Sequence, residues 1–202
     1  MEFIGNIDLL KKDAFAYRVY DKLLSKLKNS DDLLYYMFPV YSGDIDMDKV
    51  EATLLLLSKE YGVFYFDAIR DGETVDSTED RINTLFSCIA SCFRKSPVLK
   101  RGRDSLKYDI STIIVSDTKI NVSDEFINIS VDNINEILND KKSVIDNDAF
   151  EMMQSCLEGS LQAKRKDIRR TTQNKVTKGE VLNRIQEHIA RFDIEQKQAA
   201  LT

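Results

Sequence analysis

Asp44, Asp46 and Asp48 stand two residues apart, the spacing of the first oxygen ligands in a calcium loop. Lys49 follows, and no Gly-plus-Glu completion exists, so the segment reads as a solvated acidic loop. Cys88 and Cys92 share one helical face, where small buried apolar groups are the simpler reading than a redox pair. With 3 Cys and 1 His (His188), disulfide frameworks, His-based triads and multi-His metal centres are largely excluded. Neither GxGxxG nor GxxxxGK[ST] occurs, so the chain has no phosphate-cradling loop of its own. Two basic clusters remain. Lys95, Lys100, Arg101, Arg103 and Lys107 face one acid, Asp104, and Lys164, Arg165, Lys166, Arg169 and Arg170 form a denser group. Each could contact phosphates, or be a solvated loop and a soluble linker. Only Phe93 and Tyr108 are near the first cluster, which argues against a single-strand stacking platform. Asp109, Asp117 and Asp124 are scattered and read as surface residues.

The elements that must carry these residues come from a chain of 202 residues with 43% hydrophobic content. That is one domain, or a domain of about 150 residues plus an appendage, with enough apolar surface for a core. A helix is expected from Asp8 to about Lys28, where Ala16, Val19, Tyr20, Leu23, Leu24 and Leu27 recur at spacings of three and four. Leu33–Tyr41 reads as a strand. Leu54–Leu57 and Val63–Phe66 flank a Gly-containing turn and read as a hairpin, apolar on both faces and therefore covered on both. Ser77, with Asp80 at the capping-box spacing, is expected to cap a helix to about Ser96, stopped by Pro97. Ile110–Val115 and Phe126–Ile129 read as strands, and Val131–Leu138 and Ala149–Leu161 as helices. The fold class is then α/β, with a mixed central sheet of about four to five strands flanked by helices and a helical C-terminal extension.

Charge divides the chain. Residues 160–202 hold ten Lys or Arg and five Asp or Glu, a net +5, which leaves −10 for residues 1–159. The overall −5 gives no global footprint for nucleic acid, so any binding must be local. The organisation expected is an α/β core over 1–130, appended helices over 131–163, a basic linker over 164–177 and a final segment over 178–202. No apolar run is long enough to span a membrane, and the start lacks the order of a signal peptide. A cytoplasmic protein without a membrane partner is expected.

Two stretches carry a family resemblance. The order helix, strand, hairpin, helix, strand, with EATLLLLSKEYGVFYFDAI at its centre, resembles the core of the PD-(D/E)xK nucleases, and specifically the nuclease-related domain found in front of some bacterial helicases. The terminus LNRIQEHIARFDIEQKQAALT resembles the segment ahead of the phosphate loop in UvrD/Rep-type superfamily 1 DNA helicases. Phe192, Asp193, Gln196 and Ala199 fall on its Leu-Asn-x-x-Gln-x-x-Ala motif, which implies that Gln196 reads the adenine of ATP in an intact parent. The resemblances imply a restriction-endonuclease-like core joined to a helicase motor domain, with ATP and Mg²⁺ used by the parent and DNA as partner.

Such nucleases hold Mg²⁺ with carboxylates on adjoining strands and place a Lys two residues after the second one. On that alignment Asp67 takes the second-carboxylate position, Ile69 stands where the Lys should be, and the first-carboxylate position falls near Thr53. No clear acid occurs among Ala16, Tyr17, Arg18 and Val19 of the first helix. The reading is a degenerate nuclease, with Asp67 a strand-end acid that meets solvent or pairs with Arg70. A rearranged Mg²⁺ site from Asp67, Glu51 and one of Asp44, Asp46 or Asp48, with Arg70 in place of the Lys, is the alternative. A stand-alone protein-interaction module is the other.

Overall fold

The computed structural model describes residues 1–27, 31–41, 49–103 and 105–159. Residues 1–161 cluster as one compact unit. The acidic loop expected around Asp44, Asp46 and Asp48, the 164–177 linker with its basic cluster, and the 178–202 segment with Gln196 lie outside the described residues.

Eleven strands and α-helices follow one another in the described residues. The N-terminal part holds β1 (Glu2–Ile4), α1 (Ile7–Leu10), α2 (Ala14–Leu27), β2 (Leu33–Tyr41), β3 (Lys49–Ser58) and β4 (Gly62–Asp67). Then come α3 (Val75–Arg94), β5 (Ile110–Val115), β6 (Ile127–Ile129), α4 (Ile134–Asp140) and α5 (residues 147–159). The strands form one mixed six-stranded sheet in the order β1-β2-β3-β4-β5-β6. The β2–β3–β4 meander is antiparallel, whereas β1 runs parallel to β2, and β5 and β6 continue parallel to β4. The sheet is thus larger than the four to five strands expected, because β1 escapes sequence detection. Its three residues have no period to read, and pairing with Leu33–Tyr35 is what makes them a strand.

Both sheet faces are covered, as the two-sided apolar runs require. Tyr35, Leu55, Leu57, Val63 and Tyr65 pack beneath α3 and α5, with Leu85, Ile89, Phe93, Phe150, Met153 and Leu157 above them. Leu34, Leu54, Leu56, Phe64 and Phe66 pack beneath α2 and α4, against Val19, Leu23, Leu27, Ile134 and Leu138. At roughly 1.5–3 kcal/mol per buried large apolar side chain, these two layers dominate the stability of the unit. α4 and α5 therefore belong to the core rather than being appended to it. The even-odd alternation changes sense within β2 and β3. Beyond Met37, which has φ of +48°, the even-numbered Phe38 and Val40 turn to the α3 side, and Ala52 does so on β3. The pairing register holds across this point, so the backbone rotates without gaining a residue.

Helix starts differ from the sequence expectation by local capping. The Asn6 side chain accepts from the backbone N–H of Asp8 (2.9 Å) and Leu9 (3.1 Å), and Asp13 accepts from Ala16 N–H (2.9 Å). Asp13 thereby restarts the chain as α2, and the single helix expected from Asp8 becomes two. Thr74, not Ser77, begins α3. Ser77 N–H donates to Thr74 Oγ1 (3.2 Å) and Thr74 N–H to Ser77 Oγ (3.0 Å), a reciprocal box with Ser in place of the usual Glu. Among the described residues no helix is long and apolar enough to cross a membrane.

Candidate functional site

The meander brings Thr53 and Asp67 together. The β3–β4 ladder ends at Leu54 and Phe66, and the next residues on each strand are Thr53 and Asp67. Thr53 Oγ1 donates to Asp67 Oδ1 at 3.0 Å. The backbone N–H of Ala68 donates to the same oxygen at 2.8 Å. The second oxygen, Oδ2, accepts from the Tyr65 hydroxyl and from Nη1 of Arg81. Asp67 is 1% exposed, so it does not meet solvent. A carboxylate offers about four lone-pair directions, and here four donors fill them.

Arg81 is the residue that sequence reasoning missed. It lies two turns into α3, and its Nη2 also donates to Glu73 Oε2 (2.7 Å) and to the Ala68 carbonyl (3.2 Å). Glu73 is steadied further by the Thr78 hydroxyl at 3.2 Å. The guanidinium thus clasps two carboxylates and the chain that leaves β4, although its Nε is buried without a partner. A signal existed. Thr78, Arg81 and Leu85 follow the three-and-four spacing of the buried side of α3, so a charge there demands an inward counter-charge.

The electrostatics follow from this contact. Burial disfavours the Arg81 charge, but Asp67 and Glu73 outweigh it and hold the group more firmly protonated than usual. Burial likewise pushes Glu73 up, yet the Arg81 hydrogen bond and charge prevail and hold it below its ordinary value. The Tyr65 phenol is pushed far up, first by burial and then by the Asp67 charge, so it remains a donor.

The expected partner of Asp67, Arg70, is exposed and donates through Nη2 to Thr53 Oγ1 at 3.3 Å. Arg81 takes the carboxylate instead because α3 passes directly over the end of β4. Ile69 lines a hollow of about 390 Å³ shared with Ala14, Phe15, Arg18 and Asp117, on the α2 side. At its rim Arg18 forks onto Asp117 at 2.7 and 3.0 Å. Lys100, Arg101 and Arg103 lie beyond the far end of α3, away from Asp67. Glu51 lies on β3 in register with Pro39.

The donor set does not fit Mg²⁺. Such an ion needs free carboxylate lone pairs and keeps several waters. At Asp67 the lone pairs are taken and a guanidinium stands where a cation would approach. Among the described residues, no group of three or more His, Cys, Asp or Glu side chains is placed to hold a metal ion. Comparison with known proteins adds no identity: no family model, curated protein or solved structure matches the chain.

Proposed function

We propose that residues 1–159 form a nuclease-like scaffold of the restriction-endonuclease type that does not hydrolyse, and that it serves a DNA-working ATPase as an accessory region that holds nucleic acid or docks on the motor. The order α2-β2-β3-β4-α3-β5, with β5 parallel to β4, supports the scaffold reading. One observation carries the silence: both oxygens of Asp67 are occupied, one of them by Arg81. A positive group that touches the carboxylate directly is already neutralised and cannot also stabilise a developing phosphorane. In the intact parent, Gln196 would face adenine, and ATP and Mg²⁺ would belong to the motor domain.

The test is cleavage of end-labelled duplex and single-stranded DNA with Mg²⁺ or Mn²⁺, beside an Asp67→Ala control. Background-level cleavage by both proteins is expected. Cleavage by the wild type that disappears in the control would establish a working nuclease and overturn the proposal.

A further inference from the structure

The loop between α3 and β5 is built as a narrow hairpin. Lys107 N–H donates to Leu99 O at 2.8 Å, Arg101 N–H to Ser105 O at 3.1 Å, and Lys100 and Leu106 form an antiparallel bridge between these bonds. Leu99 is buried, and anchors one arm in the core. The other arm is tied by Asp146, just ahead of α5. Its Oδ2 accepts from Tyr108 Oη (2.6 Å) and Lys107 Nζ (3.0 Å), while Oδ1 accepts from Ala149 N–H (2.8 Å). The tip presents Arg101 and Arg103, both exposed, on either side of Gly102. At its foot stand Arg94 and Lys95, exposed at the C-terminal end of α3, and half-buried Lys100.

Residues 94–107 hold six Lys or Arg and one acid, Asp104, in a chain segment (1–159) that is otherwise strongly negative. Lys107 is matched by Asp146. Arg94, Lys95, Lys100, Arg101 and Arg103 form no ion pair with a described residue. Five cations without a described counter-charge thus stand on a braced hairpin and a helix end, so the backbone that carries them needs little ordering on binding. Phe93 and Tyr108 are buried, so no ring is offered to a base. The partner chemistry that fits is a row of phosphodiesters, contacted without reading sequence.

The position of this surface matters as much as its charge. Arg81, over Asp67, and Arg94 are separated by thirteen residues of one helix, roughly 20 Å at 1.5 Å per residue. The hairpin feeds the start of β5, beside Val63 at the start of β4, whereas Asp67 ends β4. The basic surface and the Asp67 centre thus lie at opposite ends of the sheet. We infer that this protein binds a nucleic-acid backbone through Arg94, Lys95, Lys100, Arg101 and Arg103, at the end of the sheet remote from Asp67, and that the bound strand does not cross the position of a nuclease centre. The inference rests on the accessory reading above and gives its contact surface.

At 0.15 M salt the screening length is about 8 Å, so the acids at the other end of the sheet oppose binding only weakly. The experiment is fluorescence-anisotropy titration of the full 202-residue chain against a labelled 20-base-pair duplex and the matching single strand over a salt series. Up to five phosphate contacts give a slope of log K against log salt of about −4.5 for duplex and about −3.5 for single strand. Arg101→Gln with Arg103→Gln should reduce the duplex slope by about 2 and weaken binding up to roughly 60-fold at 0.1 M salt. Arg101→Lys with Arg103→Lys should restore most of it, and Lys11→Gln with Lys12→Gln, at the other end of the sheet, should change little. Wild-type binding that the Arg101/Arg103 double exchange leaves intact would overturn this surface while leaving the accessory role standing. No binding by the wild type at 20 mM salt would overturn both the surface and nucleic-acid contact, and an acidic protein would then be the partner to seek. The cleavage assay decides the silent-scaffold reading independently of either result.

Discussion

Removing Arg81 should expose how strongly the core depends on an ionic contact. In Arg81→Met the stem is roughly replaced, but Asp67 stays 1% exposed with only Thr53, Tyr65 and Ala68 N–H to satisfy it. Deleting one partner of a buried pair costs about 3–5 kcal/mol, and the three remaining donors place this case near 3. Asp67→Leu should cost less, about 2 kcal/mol, because the Arg81 side chain is 18% exposed and keeps Glu73. Asp67→Leu with Arg81→Met removes both charges and leaves the Tyr65 and Thr53 hydroxyls and the Ala68 N–H without this acceptor, at about 2 kcal/mol. The coupling is then about 3 kcal/mol, far above the ~0.5 kcal/mol scatter of independent sites. Urea unfolding of the full-length variants measures it, provided the m-values agree. For a chain of this size Arg81→Met should also lower Tm by roughly 6–12 °C. Strictly additive single and double exchanges would refute the view that these residues act as one unit.

Two further outcomes follow from the same structure. Tyr108, then Ala149 N–H and Lys107, hold Asp146 at about 2, below the ordinary carboxylate range. A depressed acid stabilises above its unfolded pKa and loses that contribution as pH falls through its folded value. The wild type should therefore lose stability relative to Asp146→Asn between about pH 4 and pH 2, and thermal melts superimposable across that window would contradict the tie. Gly62 has φ of +108°, and a Cβ there would sit 3.2 Å from both the carbonyl oxygen and Cβ of Ser143. Gly62→Ala should destabilise by about 1–3 kcal/mol, and an unchanged urea midpoint would refute the strain.

The central architecture was legible because its signals are local and strong. The runs Leu54–Leu57 and Val63–Phe66 around Gly62 could be little other than a doubly covered hairpin, and the Ile82, Leu85, Ile89, Phe93 stripe could only face a sheet. What stayed hidden depended on partners far away in sequence. β1 is a strand because Leu33–Tyr35 lies beside it. Asn6 and Asp13 divide the first helix through hydrogen bonds that periodicity cannot display. At the candidate site, the resemblance points to residues beside Asp67 along the strand, namely Ile69 and Arg70. The decisive contact comes instead from a helix fourteen residues further on.

That difference bears on what the Asp67 centre can do. A working metal-dependent nuclease site places metal and phosphate between its carboxylates and its cation, so that the cation acts only when charge develops. Here the guanidinium rests on the carboxylate, and admitting Mg²⁺ requires the pair to be parted. Parting it costs about 3 kcal/mol or more, which weakens any metal affinity by a factor of order 100. A site that would otherwise bind at about 1 mM would then need about 0.1 M Mg²⁺. A lysine at position 69 would meet an acid already neutralised, so the missing strand residue alone does not carry the proposed silence. Arg81 is the closer cause, because it occupies the oxygen that the metal would require.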